Sequence, residues 1–290
     1  MKNIGLILFD IDGVIRSVEN SYRLSLKKTV YKFSGWEPSY IDIDNAKNEG
    51  IWNNDWDLSL ELIKRCIKKD NLNLKIPPRE EIVKCFEEFY FGGDPNKDSK
   101  YWSGYITNEE LLVDKKFFDL IQGNGIIWGF VSGAESASAK FVLEKRLGLK
   151  SPPLISMGDA PDKPDPKGFI KLSKKLLGDK LGSSNIPIGY VGDTIADINT
   201  VINAKKEIPS QKFISIGIAP PHLHSKSRIK ERNSYEKNLQ NAGADLILNS
   251  INDLKSINLA QVLKNITCLR KMKLLTQLRF GREIVINWIY

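Results

Sequence analysis

The chain has 290 residues, more than the ~100–150 of one typical domain, so a large domain with a smaller companion is the natural division. Apolar residues make up 41% and charged residues 27%, the balance of an ordinary soluble globular protein with material for a sizeable core. The net charge is +8, but the Lys residues are scattered and no stretch matches a nucleic-acid-binding motif, so no nucleic-acid partner is expected.

The first element is the apolar run Ile4 to Phe9, which reads as a buried strand. It is too short to span a bilayer and lacks a leader's layout, and no other run nears the ~18 residues a membrane helix needs. The stretch from Arg16 to about Leu112 contains no comparable strand run. It reads as helices over Ser21 to Phe33, Asp57 to Lys69 and Arg79 to Phe89, with Leu58, Leu62, Ile63, Cys66 and Ile67 at helical spacing. So long an excursion is too large for a loop and predicts an inserted helical domain.

Further strands are expected over Ile126 to Val131, Leu154 to Met157, Ile186 to Val191, Phe213 to Ile218 and Asp245 to Leu248. Helices over Ala134 to Leu147 and Phe169 to Leu177 separate some of them. The alternation predicts an α/β fold, a Rossmann-like parallel-sheet core with an inserted α-helical cap domain. The division is 1–16 and 112–257 for the core, 17–111 for the cap and 258–290 for a C-terminal helical tail. In that tail Leu259, Val262, Leu263, Ile266 and Leu269 form an amphipathic stripe, read as packing on the chain's own core or on a second copy, which allows for a homodimer. Cys66, Cys85 and Cys268 are far apart and odd in number, which argues for a reducing compartment. Cytoplasmic residence and no membrane partner are the expectation.

Four segments carry chemistry. In Leu8-Phe9-Asp10-Ile11-Asp12-Gly13 a strand ends in two carboxylates two residues apart, at the end of a parallel strand that opens into a ligand crevice. Carboxylates so close repel unless a cation or a shared proton offsets the charge, which favours a hard ion such as magnesium. In Gly129-Phe130-Val131-Ser132-Gly133 a strand ends in a hydroxyl and a Gly, suited to a phosphate oxygen, although alone it reads as a helix N-cap. In Asp162-Lys163-Pro164-Asp165-Pro166, Lys163 is held between prolines, where a fixed ammonium can neutralise a carboxylate and a phosphate; alone it reads as a solvated loop Lys. In Tyr190-Val191-Gly192-Asp193-Thr194-Ile195-Ala196-Asp197 a strand again ends in Gly-Asp, and Asp193 and Asp197 complete a metal site if a helix begins there.

With these four in order along one parallel-sheet pattern, the chain resembles the haloacid dehalogenase-like hydrolase superfamily. Within it, the insertion point and the Lys-Pro-x-Pro form resemble the phosphoglycolate phosphatase-like subfamily with a helical cap. The resemblance implies a phosphatase acting on a small phosphorylated metabolite such as a sugar, polyol or phosphoglycolate-like monoester. It implies Asp10 as nucleophile, Asp12 as acid and base, Ser132 and the Gly133 N–H on the phosphoryl oxygens, and Lys163 as charge stabiliser. Magnesium would be held by Asp10, the Asp12 carbonyl, Asp193 and, directly or through water, Asp197. A phosphotransferase or phosphomutase on the same scaffold is the alternative. The acid at Asp12 disfavours carbon–halogen hydrolysis, and a retired scaffold would have lost at least one of these residues.

The cap is expected to select the substrate, with Trp52, Asn53 and Trp56 either lining a sugar-sized pocket or anchoring the cap's helices. The two histidines, in Ala219-Pro220-Pro221-His222-Leu223-His224, read as loop residues rather than metal ligands. The segment from Pro220 to Asn241 reads as a loop longer than such a protein requires.

Overall fold

The computed structural model describes residues 4–255 other than 48, 50 and 53. The C-terminal tail and Asn53 therefore lie outside the described residues.

Strand β1 (Gly5–Phe9) is buried along its whole length, which is why it is apolar without alternation. It leads through Asp10 and Asp12 into a helical insertion: α1 (Tyr22–Ser34), α2 (Tyr40–Lys47), α3 (Asp55–Lys69) and α4 (Arg79–Phe91). Their apolar faces meet in one cluster that includes Leu26, Leu58, Ile63, Phe86 and Tyr90. The helices start and stop on local chemistry. The Asn54 side chain accepts from the N–H groups of Trp56 and Asp57 to start α3, and Gly92, at φ 64°, ends α4.

The chain returns through residues 109–112 beside the outgoing segment: Ser17 N–H donates to the Glu110 carbonyl and Leu112 N–H to the Ile15 carbonyl, both at 2.9 Å. Then follow α5 (Lys115–Gly123), β2 (Ile126–Val131), α6 (Ser136–Lys140, continuing as a π-helical turn to Arg146), β3 (Leu154–Ile155), α7 (Lys167–Leu177), β4 (Ile188–Gly192), α8 (Ile195–Glu207), β5 (Phe213–Ile218), α9 (Ile229–Asn241) and β6 (Leu246–Leu248). The six strands form one parallel sheet in the order β3-β2-β1-β4-β5-β6. One face packs Phe9 against Phe117, Phe118 and Phe130, with ring centroids 5.9–6.1 Å apart. The other packs Leu6 and Leu8 with Phe169, Leu172 and Val201. Each large side chain so buried contributes about 1.5–3 kcal/mol.

The strand order reverses at β1, which lies between β2 and β4. A crevice forms outside the carboxyl ends at such a switch point, so the residues after β1, β2 and β4 meet there.

The expected elements differ from the observed ones mainly at their ends. The helix expected from Ala134 starts at Ser136, because the Ala134 carbonyl accepts from Met157 N–H. Strand β3 stops at Ile155, because the Ser156 N–H and hydroxyl turn to the Asp159 carboxylate, both at 2.8 Å. The segment read as a loop up to Asn241 contains α9, a polar helix whose buried residue is Leu239, too sparse an apolar pattern to announce itself.

Candidate active site

Asp10 follows β1 directly and is 5% exposed. Its Oδ1 accepts from Ile11 N–H at 2.8 Å, and its Oδ2 lies 2.9 Å from Lys163 Nζ. Burial pushes its carboxyl up to about 6; Lys163 opposes this, while Asp197 and Asp12 reinforce it. Lys163 reaches in from the segment before α7 and also donates to Asp197 Oδ1 at 2.6 Å. Burial pulls on the ammonium, but Asp10 and Asp197 hold its pKa well above the usual value. It is a fixed cation.

Asp197 sits in the first turn of α8. Thr194 caps that helix: its hydroxyl donates to Asp197 Oδ2 at 2.6 Å and accepts from Asp197 N–H at 3.2 Å, while Thr194 N–H donates to Oδ2 at 2.9 Å. The Tyr190 hydroxyl stands 3.2 Å from Oδ1 and 2.6 Å from the Val131 carbonyl. Both oxygens of Asp197 are thus engaged, so any metal contact would compete with Lys163 and Thr194.

Asp193 lies at the end of β4, its carbonyl accepting from the Tyr235 hydroxyl of α9 at 2.8 Å. Burial, then Asp197 and Asp10, raise its carboxyl well above the usual range. Two glycines make this packing possible. A Cβ on Gly13, which turns at φ 75°, would collide with the Asp193 carboxylate, and one on Gly192 would collide with that of Asp197.

One oxygen from each of Asp10, Asp193 and Asp197 lies within 4.8 Å of the others. Three carboxylates against one ammonium leave negative charge uncompensated, which adds to the effect of burial in raising Asp10 and Asp193. An all-oxygen donor set of this kind fits a hard divalent cation such as magnesium.

Asp12 is 28% exposed in its side chain, and its Oδ1 accepts from Arg16 Nε at 2.6 Å. Ser132 is buried at the end of β2, where its Oγ accepts from Ala134 N–H at 3.2 Å. Gly133 beside it is exposed, with open space where a side chain would stand. The structure thus brings the ends of β1, β2 and β4 to one edge of the sheet, where Lys163 bridges Asp10 and Asp197.

The cap tryptophans are placed differently. Trp52 donates Nε1 to Glu49 at 2.8 Å with Arg65 over its ring, and Trp56 has Arg79 over its ring; both pack against the cap's apolar cluster. Both side chains are thus held by contacts within the helical insertion. His224 Nε2 is 2.7 Å from the Ala219 carbonyl. Burial, with Arg23 beside it, lowers His222 to about 4. Among the described residues the metal-capable group is the aspartate cluster.

Sequence reasoning missed Arg16, Glu109, Tyr190, Thr194 and Tyr235. Only Thr194 had a readable signal, since Thr194-x-x-Asp197 has the spacing of a capping box.

Solved structures share this arrangement of sheet and inserted helices. Phosphatase Tt82 from Thermococcus thioreducens matches 81% of this chain and 99% of its own, with a TM-score of 0.55 and 20% identity. A HAD hydrolase of family IA, variant 3, from Entamoeba histolytica matches 91% of this chain and 99% of its own, with a TM-score of 0.54 and 15% identity. YfnB from Bacillus subtilis, solved bound to magnesium, matches 87% of this chain and 97% of its own, with a TM-score of 0.51 and 12% identity. The chain has the haloacid dehalogenase-like (HAD) fold with a helical cap. No family model matches the HAD-like chain. In sequence it is 28% identical over 250 residues to an imidazoleglycerol-phosphate dehydratase of Phytophthora nicotianae, covering 83% of this chain and 49% of that protein. The chain thus spans about half the length of that curated relative.

Proposed function

We propose that this chain is a magnesium-dependent phosphatase that hydrolyses a small phosphate monoester through an aspartyl-phosphate on Asp10. The observation that carries the reading is the buried Asp10 carboxylate held 2.9 Å from Lys163 at the sheet's switch point, beside Asp193.

Asp10 offers Oδ2 to phosphorus. As that bond forms and the ester P–O bond breaks, Asp12 gives its proton to the departing alcohol. Water then attacks phosphorus and gives a proton to Asp12, the Asp10–phosphorus bond breaks, and inorganic phosphate leaves. Lys163 balances charge on Asp10 and on the phosphoryl oxygens without reorganising, because Asp197 fixes it. Ser132 and the Gly133 N–H would hold those oxygens. Asp10, Asp193 and the Asp12 carbonyl would hold magnesium, with Asp197 reaching it through water. The ion, when bound, shields the phosphate's negative charge from the attacking carboxylate.

The magnesium seen in YfnB and the phosphatase activity named for Tt82 support this reading. The relative's name describes a dehydratase, also acting on a phosphate ester. The carboxylate nucleophile with a fixed lysine favours phosphoryl transfer over loss of water. The small-molecule ester is the proposed partner.

Phosphate release from a panel of sugar, polyol, phosphoglycolate and imidazoleglycerol phosphates, with magnesium and with chelator, tests the proposal. Magnesium-dependent release, lost in Asp10→Asn, supports it. Isomeric phosphate without release would make the protein a mutase, and dehydration with the phosphate retained would overturn the reading.

A further inference from the structure

Arg16 is a charged side chain with no solvent exposure, in the linker that leaves the catalytic loop for the cap. A buried guanidinium is costly unless every donor is matched, and here the matches are specific. Nε donates to Asp12 Oδ1 at 2.6 Å, Nη1 to Glu109 Oε2 at 2.9 Å and Nη2 to Ser138 Oγ at 2.8 Å. Glu109 lies on the returning linker, and its Oε1 accepts from the Ser21 hydroxyl at 2.6 Å and the Tyr90 hydroxyl at 3.1 Å. Tyr90, on cap helix α4, also lies 2.8 Å from Ser138 Oγ, on core helix α6. One orientation satisfies the ring: Ser138 accepts from Arg16 and donates to Tyr90, and Tyr90 donates to Glu109.

We infer that Arg16 is a positioning residue for the acid and base Asp12, held rigid by Glu109, Ser138 and Tyr90. Asp12 is part-exposed on a tight turn, and its carboxylate is free to rotate unless something grips it. Proton transfer needs the carboxyl within hydrogen-bond reach of the departing oxygen, and loss of that geometry costs about 10²–10⁴-fold. Arg16 takes one oxygen, which leaves the other to carry the proton. The anchor's own fork is fixed by both linkers, one cap helix and one core helix, so the aim of Asp12 is tied to the seating of the cap.

The inference rests on the phosphatase reading, and the test separates the two. Arg16→Lys keeps a cation for Glu109 but cannot make the three-way fork. Glu109→Gln keeps Arg16 and loosens it. Wild type, both variants and Asp12→Asn are mixed rapidly with p-nitrophenyl phosphate, whose nitrophenolate leaves without a proton, and with glycerol phosphate, whose alkoxide does not. Thermal unfolding is measured alongside.

Arg16→Lys is expected to release nitrophenolate in a first-turnover burst within about tenfold of the wild-type rate. It then turns over slowly, because the base is also misplaced, and loses about 10²-fold on glycerol phosphate, as Asp12→Asn does. Glu109→Gln should show the same asymmetry, smaller, and decides the matter should Arg16→Lys not fold. Equal losses on both esters in a folded variant would make the network merely structural and overturn the inference. Unchanged kinetics in the folded variants would overturn it as well. A wild type inactive on both esters would instead strike at the phosphatase reading.

Discussion

Lys163 Nζ lies 2.6 Å from Asp197 Oδ1, a contact that holds the ammonium in place. Its other oxygen is taken by Thr194, so Asp197 ties the lysine to the start of α8. Asp197→Asn should lower turnover by about 10²–10³-fold, the scale for losing one preorganised charge-stabilising group, while magnesium still binds. Turnover by the purified variant with magnesium titration checks this. An intact rate with lost magnesium affinity would make Asp197 a ligand instead.

Thr194→Val removes the cap without touching Lys163. A stability loss of about 1 kcal/mol is expected, read by urea unfolding. Activity should fall less than in Asp197→Asn, because Tyr190 still stands beside Asp197 Oδ1.

The metal-free site should be sensitive to pH. Asp10 is raised from 3.8 to about 6. A carboxyl raised by folding favours the folded state fully below its unfolded value, and that favour is lost as pH rises through the folded value. With chelator present, stability should therefore decline between about pH 4 and pH 6, and Asp10→Asn should flatten the decline. Magnesium, which binds the ionised carboxylates, should raise the unfolding temperature more at pH 7.5 than at pH 5. Thermal unfolding at several pH values reads both effects.

Glu135 gives a second pH signature. Burial, with Glu87 nearby, lifts it from 4.5 to about 7, and its Oε2 has no hydrogen-bond partner. By the same sign, Glu135→Gln should leave stability nearly unchanged below pH 4.5 and raise it by about 1–2 kcal/mol above pH 7, discounted for partial exposure. Urea unfolding of wild type and variant at pH 4 and pH 8 checks the sign.

Gly13→Ala tests the close packing of the two acidic loops. The new methyl meets the Asp193 carboxylate on a backbone at φ 75°. A fall in magnesium affinity of at least tenfold is expected by calorimetry, with about 1–2 kcal/mol of lost stability.

The core sheet was legible because its strands are buried on both faces and so read as unbroken apolar runs, as in Gly5–Phe9. Asp10, Ser132 and Asp193 were legible for the same reason, since each stands where such a run stops. Arg16 and Glu109 were not, because they are 93 residues apart and meet only when the linkers lie side by side. Asp197 was found as an acid, but its engagement with Thr194 and Lys163 depends on where α8 starts. The polar helix α9 was missed, and with it Tyr235, because one buried leucine gives no periodicity.

The most direct test of the account is to trap the covalent intermediate. Enzyme and magnesium are mixed with p-nitrophenyl phosphate, quenched in acid within the first turnover and digested for mass analysis. The account predicts a phosphoryl group on the peptide carrying Asp10, absent in Asp10→Asn. Steady turnover with no phosphorylated peptide, or with the label on another residue, would contradict it.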